Sequence, residues 1–81
     1  MKTKIQQQNK RTTLNLHDEQ IALIIEHLQI DFDIFYNQKS DGNTHYFDIK
    51  WVVNDLKNQM PNKFFETWGI NKKLIKTNDK D

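Results

Sequence analysis

Apolar residues in the first half of the chain recur at two different periods. Ile21, Ile24, Ile25 and Leu28 fall at helical spacing with Gln20, Glu26 and Gln29 off the stripe, which predicts an amphipathic helix over residues 18–29. Asn15 or Asp18 is placed to cap it, and Asp18 and Glu19 put negative charge in the first turn, where the helix dipole favours it. From Ile30 the period becomes two: Ile30, Phe32, Ile34 and Tyr36 alternate with Asp31, Asp33, Phe35 and Asn37, which predicts a strand. The polar stretch from Gln38 to Asn43 contains Asp41-Gly42, a turn pair, because glycine accepts a positive φ. Beyond it Phe47, Ile49, Trp51 and Val53 alternate with Asp48 and Lys50, predicting a second strand over Tyr46–Val53 and hence a β-hairpin. The same residues also fit a first helix that continues to Tyr36, since Ile21, Ile25, Leu28, Phe32 and Phe35 follow a 4-3-4-3 spacing. The crowding of β-branched and aromatic side chains, with two aspartates among them, favours the hairpin.

Either side of this segment the signals are shorter. Arg11 to Leu16 predicts a strand, with Thr12, Leu14 and Leu16 on one face and Arg11, Thr13 and Asn15 on the other. Val52, Val53, Leu56 and Met60 predict a helix that Pro61 ends. Asn62 is placed to cap a further short helix through Phe64, Phe65 and Trp68, with Gly69 as its stop. Leu74 and Ile75 suit a last short strand or turn. The expected fold is therefore α+β: a small single domain ordered strand, helix, hairpin, helix, with the helices on one face of an antiparallel sheet. The alternative is a mostly α arrangement, ribbon-helix-helix-like or winged-helix-like. Residues 1–9 read as a flexible N-terminal arm, 10–76 as the domain and 77–81 as a tail.

Charge changes the picture more than overall composition does. Residues 1–16 carry +4, residues 17–55 carry −6 and residues 56–81 carry +3, within a net charge of +1. An acidic middle thus lies between basic ends. All but one of the basic residues are lysine, and lysine suits phosphate contact better than base recognition. The abundance of lysine, asparagine and isoleucine suits an AT-rich genome and suggests a low-GC bacterium, its phage or a mobile element. With no cysteine, no apolar run longer than Ile21 to Ile25 and a polar start, the expected setting is cytoplasmic.

Little in the sequence suits catalysis. The lone serine, Ser40, falls in the turn, and His17, His27 and His45 are too far apart for local metal-ligand spacing. Asp31 and Asp33 would share one side of a strand but match no calcium loop, and neither glycine belongs to a phosphate-binding loop. A non-enzymatic protein without cofactor or metal is expected.

Three binding modes remain. Lys10-Arg11-Thr12-Thr13-Leu14-Asn15-Leu16, followed by Asp18-Glu19, resembles the opening of ribbon-helix-helix DNA-binding proteins, a family that includes many antitoxins. The resemblance implies a homodimer whose paired strands enter the major groove, with Arg11, Thr13 and Asn15 facing bases, Lys10 near phosphate, and Thr12, Leu14 and Leu16 in the dimer core. It covers about ten residues, and where that family turns into its second helix this chain has Asp31-Phe32-Asp33. The second mode starts from the acidic middle: Asp31, Asp33, Asp41, Asp48 and Asp55, interleaved with Phe35, Tyr36, Tyr46 and Trp51, would present a negative, aromatic face to a basic protein that processes nucleic acid, as an inhibitor or accessory subunit does. The third uses the basic ends, with Phe64, Phe65 and Trp68 as stacking platforms for single strands. The protein-binding mode is the one expected, with direct DNA binding as its alternative.

Overall fold

The computed structural model describes residues 11–42 and 44–77. Among them the chain is helical and contains no strand, which overturns the expected α+β fold and its antiparallel sheet. Helix α1 spans Asp18–Asn37, a 3-10 turn spans Lys39–Asp41, helix α2 spans His45–Gln59 and helix α3 spans Asn62–Trp68. Residues 11–17 run up to α1, and residues 69–77 lead away from α3, without regular structure.

Residues 30–37 continue α1 and residues 46–53 open α2, so both strands of the expected hairpin are helix. Burial shows which period the side chains obey. A strand would turn Ile30, Phe32 and Ile34 to one side, yet Phe32 is 7% exposed while Ile30 and Ile34 are 57% and 48% exposed. Likewise Ile49 and Val53, four residues apart, are buried, while Trp51 between them is exposed. Energetics favours this outcome. An isolated two-stranded hairpin is marginal in water, whereas two helices satisfy their backbone groups internally and set apolar stripes against each other.

The α1 stripe of Ala22, Ile25 and Phe32 packs with Tyr46, Ile49 and Val53 of α2, Phe64 and Phe65 of α3, and Ile70 just beyond. Ile25 and Val53 are fully buried. Burial of each such side chain stabilises the fold by about 1.5–3 kcal/mol. The molecule is 18 Å across its thinnest axis, about two helix diameters, so each helix has only one face to bury.

Helix ends follow local chemistry, with two departures from expectation. His17, rather than Asn15 or Asp18, occupies the cap of α1, and its backbone N–H donates to Gln20 Oε1 at 2.8 Å. At the far end the Gln38 N–H donates to Phe35 O at 3.0 Å, and after the 3-10 turn Gly42 takes φ 88°. Pro61 stops α2 by holding Met60 in the extended region. Pro61 itself, rather than Asn62, is the cap of α3, which closes at Gly69 with φ 64°.

The C-terminal segment is fastened to α2 by polar side chains instead of forming a strand. Asn54 Nδ2 donates to Ile75 O at 3.0 Å while the Ile75 N–H donates to Asn54 Oδ1 at 2.8 Å, so one side-chain amide takes both backbone groups of Ile75. Lys57 Nζ donates to Lys73 O at 2.7 Å. The N-terminal segment is tied to the same helix, where Arg11 Nη2 meets both carboxylate oxygens of Asp55 at 2.9 and 2.7 Å.

Replacing Ile25 by Ala should cost about 2–5 kcal/mol, as a fully buried aliphatic does when a cavity is left. Asn54→Ala should cost about 1–2 kcal/mol through the lost pair with Ile75. Urea unfolding followed by circular dichroism measures both. An Asn54→Ala loss as large as that of Ile25→Ala would mean that the Asn54–Ile75 pair holds more of the fold than its own two hydrogen bonds.

Candidate protein-binding surface

Helix α1 carries Asp18, Glu19, Glu26, Asp31 and Asp33 and has neither lysine nor arginine. All five acids are exposed. Helical winding separates Asp31 from Asp33 by about 200° around the axis, so the common face expected of a strand does not exist. Asp31 lies on the outward side of α1. Asp33 lies at the rim of an open depression of 340 Å³ whose lining also includes Lys57, Lys73 and Lys76. Asp48 is exposed in the first turn of α2, with its Oδ2 3.6 Å from His45 Nδ1. The Asp41 side chain and all of Lys10 lie outside the described residues.

The two tyrosines expected on this surface belong to the core instead. Tyr46 is buried, and half-buried Tyr36 stacks on Phe32 with ring centroids 5.3 Å apart and meets Tyr46 edge-on at 5.1 Å. Lys39 Nζ lies 3.7 Å above the outer face of this cluster, over the Tyr36 ring, where a cation interacts favourably with the π-system. The physical reason is again the helical period, which turns Tyr36 toward Phe32, one turn back, rather than to solvent.

The residues of the DNA-binding alternative are placed differently from expectation. Arg11 spends its guanidinium on Asp55, and Thr13 and Asn15 are exposed on a segment that forms no strand. Residues Arg11 to Leu14 and Leu16 instead line an open groove of 640 Å³ with Ile21, Asp55, Leu56, Gln59 and Met60. The stacking platform is also lost: Phe64 and Phe65 are buried, packed edge-to-face against each other, which leaves only Trp68 partly exposed. Among the described residues no three His, Asp or Glu side chains converge as metal ligands would. No helix among them is long and apolar enough to cross a membrane.

Two features escaped sequence reasoning. The first is an exposed apolar ridge on the outward side of α1, formed by Leu23, Ile30 and Ile34 at 48%, 57% and 48% exposure. Its signal is present in the sequence as a second 4-3 pattern, which the alternation of Ile30, Phe32 and Ile34 with Asp31 and Asp33 masks. The second is Lys57, which sits one turn beyond Val53 on the inner stripe of α2 and is buried. Its ammonium donates to a backbone carbonyl and makes no ion pair among the described residues, so burial alone lowers its pKa from 10.5.

Comparison with protein-family models, curated proteins and solved structures finds no match to this chain, so its function is read from its own residues.

A lysine pKa lowered by folding means that the unfolded chain binds its proton more tightly. The penalty for burying the charge is then present below the folded pKa and is relieved as pH rises from there toward 10.5. Lys57→Met should remove that contribution, so the stability of wild type relative to Lys57→Met should rise with pH across this window. Urea titrations of both proteins at several alkaline pH values give the difference, and a flat difference would mean that Lys57 keeps its ordinary pKa.

Proposed function

We propose that this chain is a non-enzymatic accessory or inhibitory protein that binds a positively charged protein involved in nucleic-acid processing. The observation that carries the proposal is the segregation of charge onto one element: a 20-residue helix whose charged side chains are all acidic and all exposed. Such a surface draws a basic partner into encounter and can raise association rates from about 10⁵–10⁶ toward 10⁸–10⁹ M⁻¹s⁻¹ at low salt. Proteins that bind nucleic acid carry the complementary charge by necessity, because they neutralise phosphates with lysine and arginine. A cytoplasmic setting belongs to the proposal, since a cysteine-free chain has no disulfide for an oxidising compartment to form.

Direct DNA binding is the weaker reading. It needs Arg11 free and a strand that pairs with a second copy, whereas Arg11 is engaged by Asp55, and Thr12, Thr13, Leu14 and Leu16 line a groove over α2. The acidity of α1 would also oppose approach to phosphate.

Anisotropy of labelled duplex and single-stranded DNA should show no binding at near-physiological salt. Capture from host extract, followed by identification and titration of the purified partner, should give a basic nucleic-acid-binding protein whose affinity falls at least tenfold in the triple variant Asp31→Lys, Asp33→Lys, Asp48→Lys. Tight duplex binding that weakens steeply with salt and is lost on replacing Arg11, Thr13 and Asn15 by alanine would instead establish the DNA-binding alternative.

A further inference from the structure

The outward ridge of α1 has the pattern of one half of a two-helix seam. Leu23, His27, Ile30 and Ile34 follow one another at spacings of 4, 3 and 4, and Gln20 and Asn37 continue the series at either end. These positions lie on one side of a helix, and on this helix it is the side turned away from Ile25 and Phe32 of the core. All four are exposed, so α1 has a buried inner stripe and a second apolar stripe with nothing described against it. From Gln20 to Asn37 the seam is about 26 Å long at 1.5 Å per residue. That length matches a partner helix of about five turns.

The residues flanking the seam decide what can occupy it. Glu19 and Glu26 stand along one side, at the positions just before Gln20 and His27, and Asp31 stands on the other, just after Ile30. In a parallel pair of identical helices Glu26 would face Asp31 of the second copy, twice over by symmetry. In an antiparallel pair the glutamate sides would face each other. Like charges at these positions oppose association, so a second copy of this chain is the wrong occupant. A helix that offers apolar side chains to the ridge and lysine or arginine to both flanks meets every requirement.

We infer that the Leu23, Ile30 and Ile34 ridge of α1 is the docking site for a basic amphipathic helix of a partner protein. This rests on the proposed function and deepens it, by giving the acidic surface an apolar axis and the partner a secondary structure. The apolar ridge supplies affinity through buried area, and Glu26 and Asp31 supply selectivity for sign of charge. His27 at the middle of the seam is a polar position of the kind that fixes register between helices.

The test uses the full chain and two synthetic 21-residue helical peptides with leucine at the seam positions, one with lysine and the other with glutamate at every flanking position. In titrations at near-physiological salt the lysine peptide should bind at least tenfold more tightly than the glutamate peptide. Ile30→Gln with Ile34→Gln should weaken the lysine peptide at least tenfold while circular dichroism and thermal midpoint stay at wild-type values, as expected for exposed residues. Glu26→Lys with Asp31→Lys should reverse the preference between the peptides. Equal binding of both peptides, or lysine-peptide binding unaffected by the two isoleucine changes, would overturn the ridge as the site. If binding survived those changes but was lost in Asp48→Lys, the acidic-surface function would stand without the ridge. No binding of the lysine peptide would count against both. Sedimentation showing a wild-type dimer that Ile30→Gln dissociates would overturn the basic partner in favour of a second copy.

Discussion

Everything in this molecule depends on the packing of the inner stripe of α1 against α2. Ile25 and Val53 are the fully buried side chains, and Phe32, Tyr46 and Ile49 complete the contact between the two helices. With so thin a structure there is one layer of core, and the remaining parts attach to its edges. Phe64, Phe65 and Ile70 bring α3 onto it through apolar contact. The segments outside the helices attach to α2 by polar contacts, at Asp55 for the N-terminal side and at Asn54 and Lys57 for the C-terminal side. These contacts differ in strength: the exposed Arg11–Asp55 pair contributes about 1 kcal/mol at most, while the paired hydrogen bonds of Asn54 are partly shielded from water.

That economy sets what the surface can do. Helix α2 uses its polar side chains to hold the rest of the chain, whereas α1 beyond its inner stripe holds almost nothing. The outward side of α1 is therefore available, and its residues are not those of an idle solvated face. Exposed isoleucines at helical spacing, with Glu19 and Glu26 along one side and Asp31 on the other, combine apolar area with a single sign of charge, and neither is required by the fold. A lone exposed aliphatic would need no explanation, but three of them, Leu23, Ile30 and Ile34, on one side of a helix that is already packed on its other side do.

Part of the punctuation of the fold was legible in the sequence, though not the end of α1 at Asn37, the start of α2 at His45 or the capping residues His17 and Pro61. The start of α1 at Asp18, the turn at Gly42, the stop at Pro61 and the close at Gly69 are set by local backbone preferences, and they sit where those preferences put them. The helical nature of the two expected hairpin strands was not recoverable in the same way. Ile30, Phe32, Ile34 and Tyr36 satisfy a period of two, and Leu28, Phe32 and Phe35 satisfy a helical one; only a matching stripe elsewhere in the chain decides between them. That stripe, Tyr46, Ile49 and Val53, was itself hidden in an alternating run. The consequences for the site follow directly. Asp31, Asp33 and Asp48 were legible as surface residues whichever period held, but Tyr46 enters the core with Tyr36 packed against it, while Ile30 and Ile34 emerge as the ridge.

Both the core and the ridge require residues 18–37 to form one uninterrupted helix with apolar stripes on opposite sides. Backbone carbon chemical shifts of the isotopically labelled protein in solution test this most directly. Helical Cα shifts should continue without a break from Asp18 through Ile30 to Asn37, and again from His45 to Gln59. Strand-like shifts over residues 30–37 and 46–53, with cross-strand contacts between them, would contradict it and would remove the ridge along with the helix that carries it.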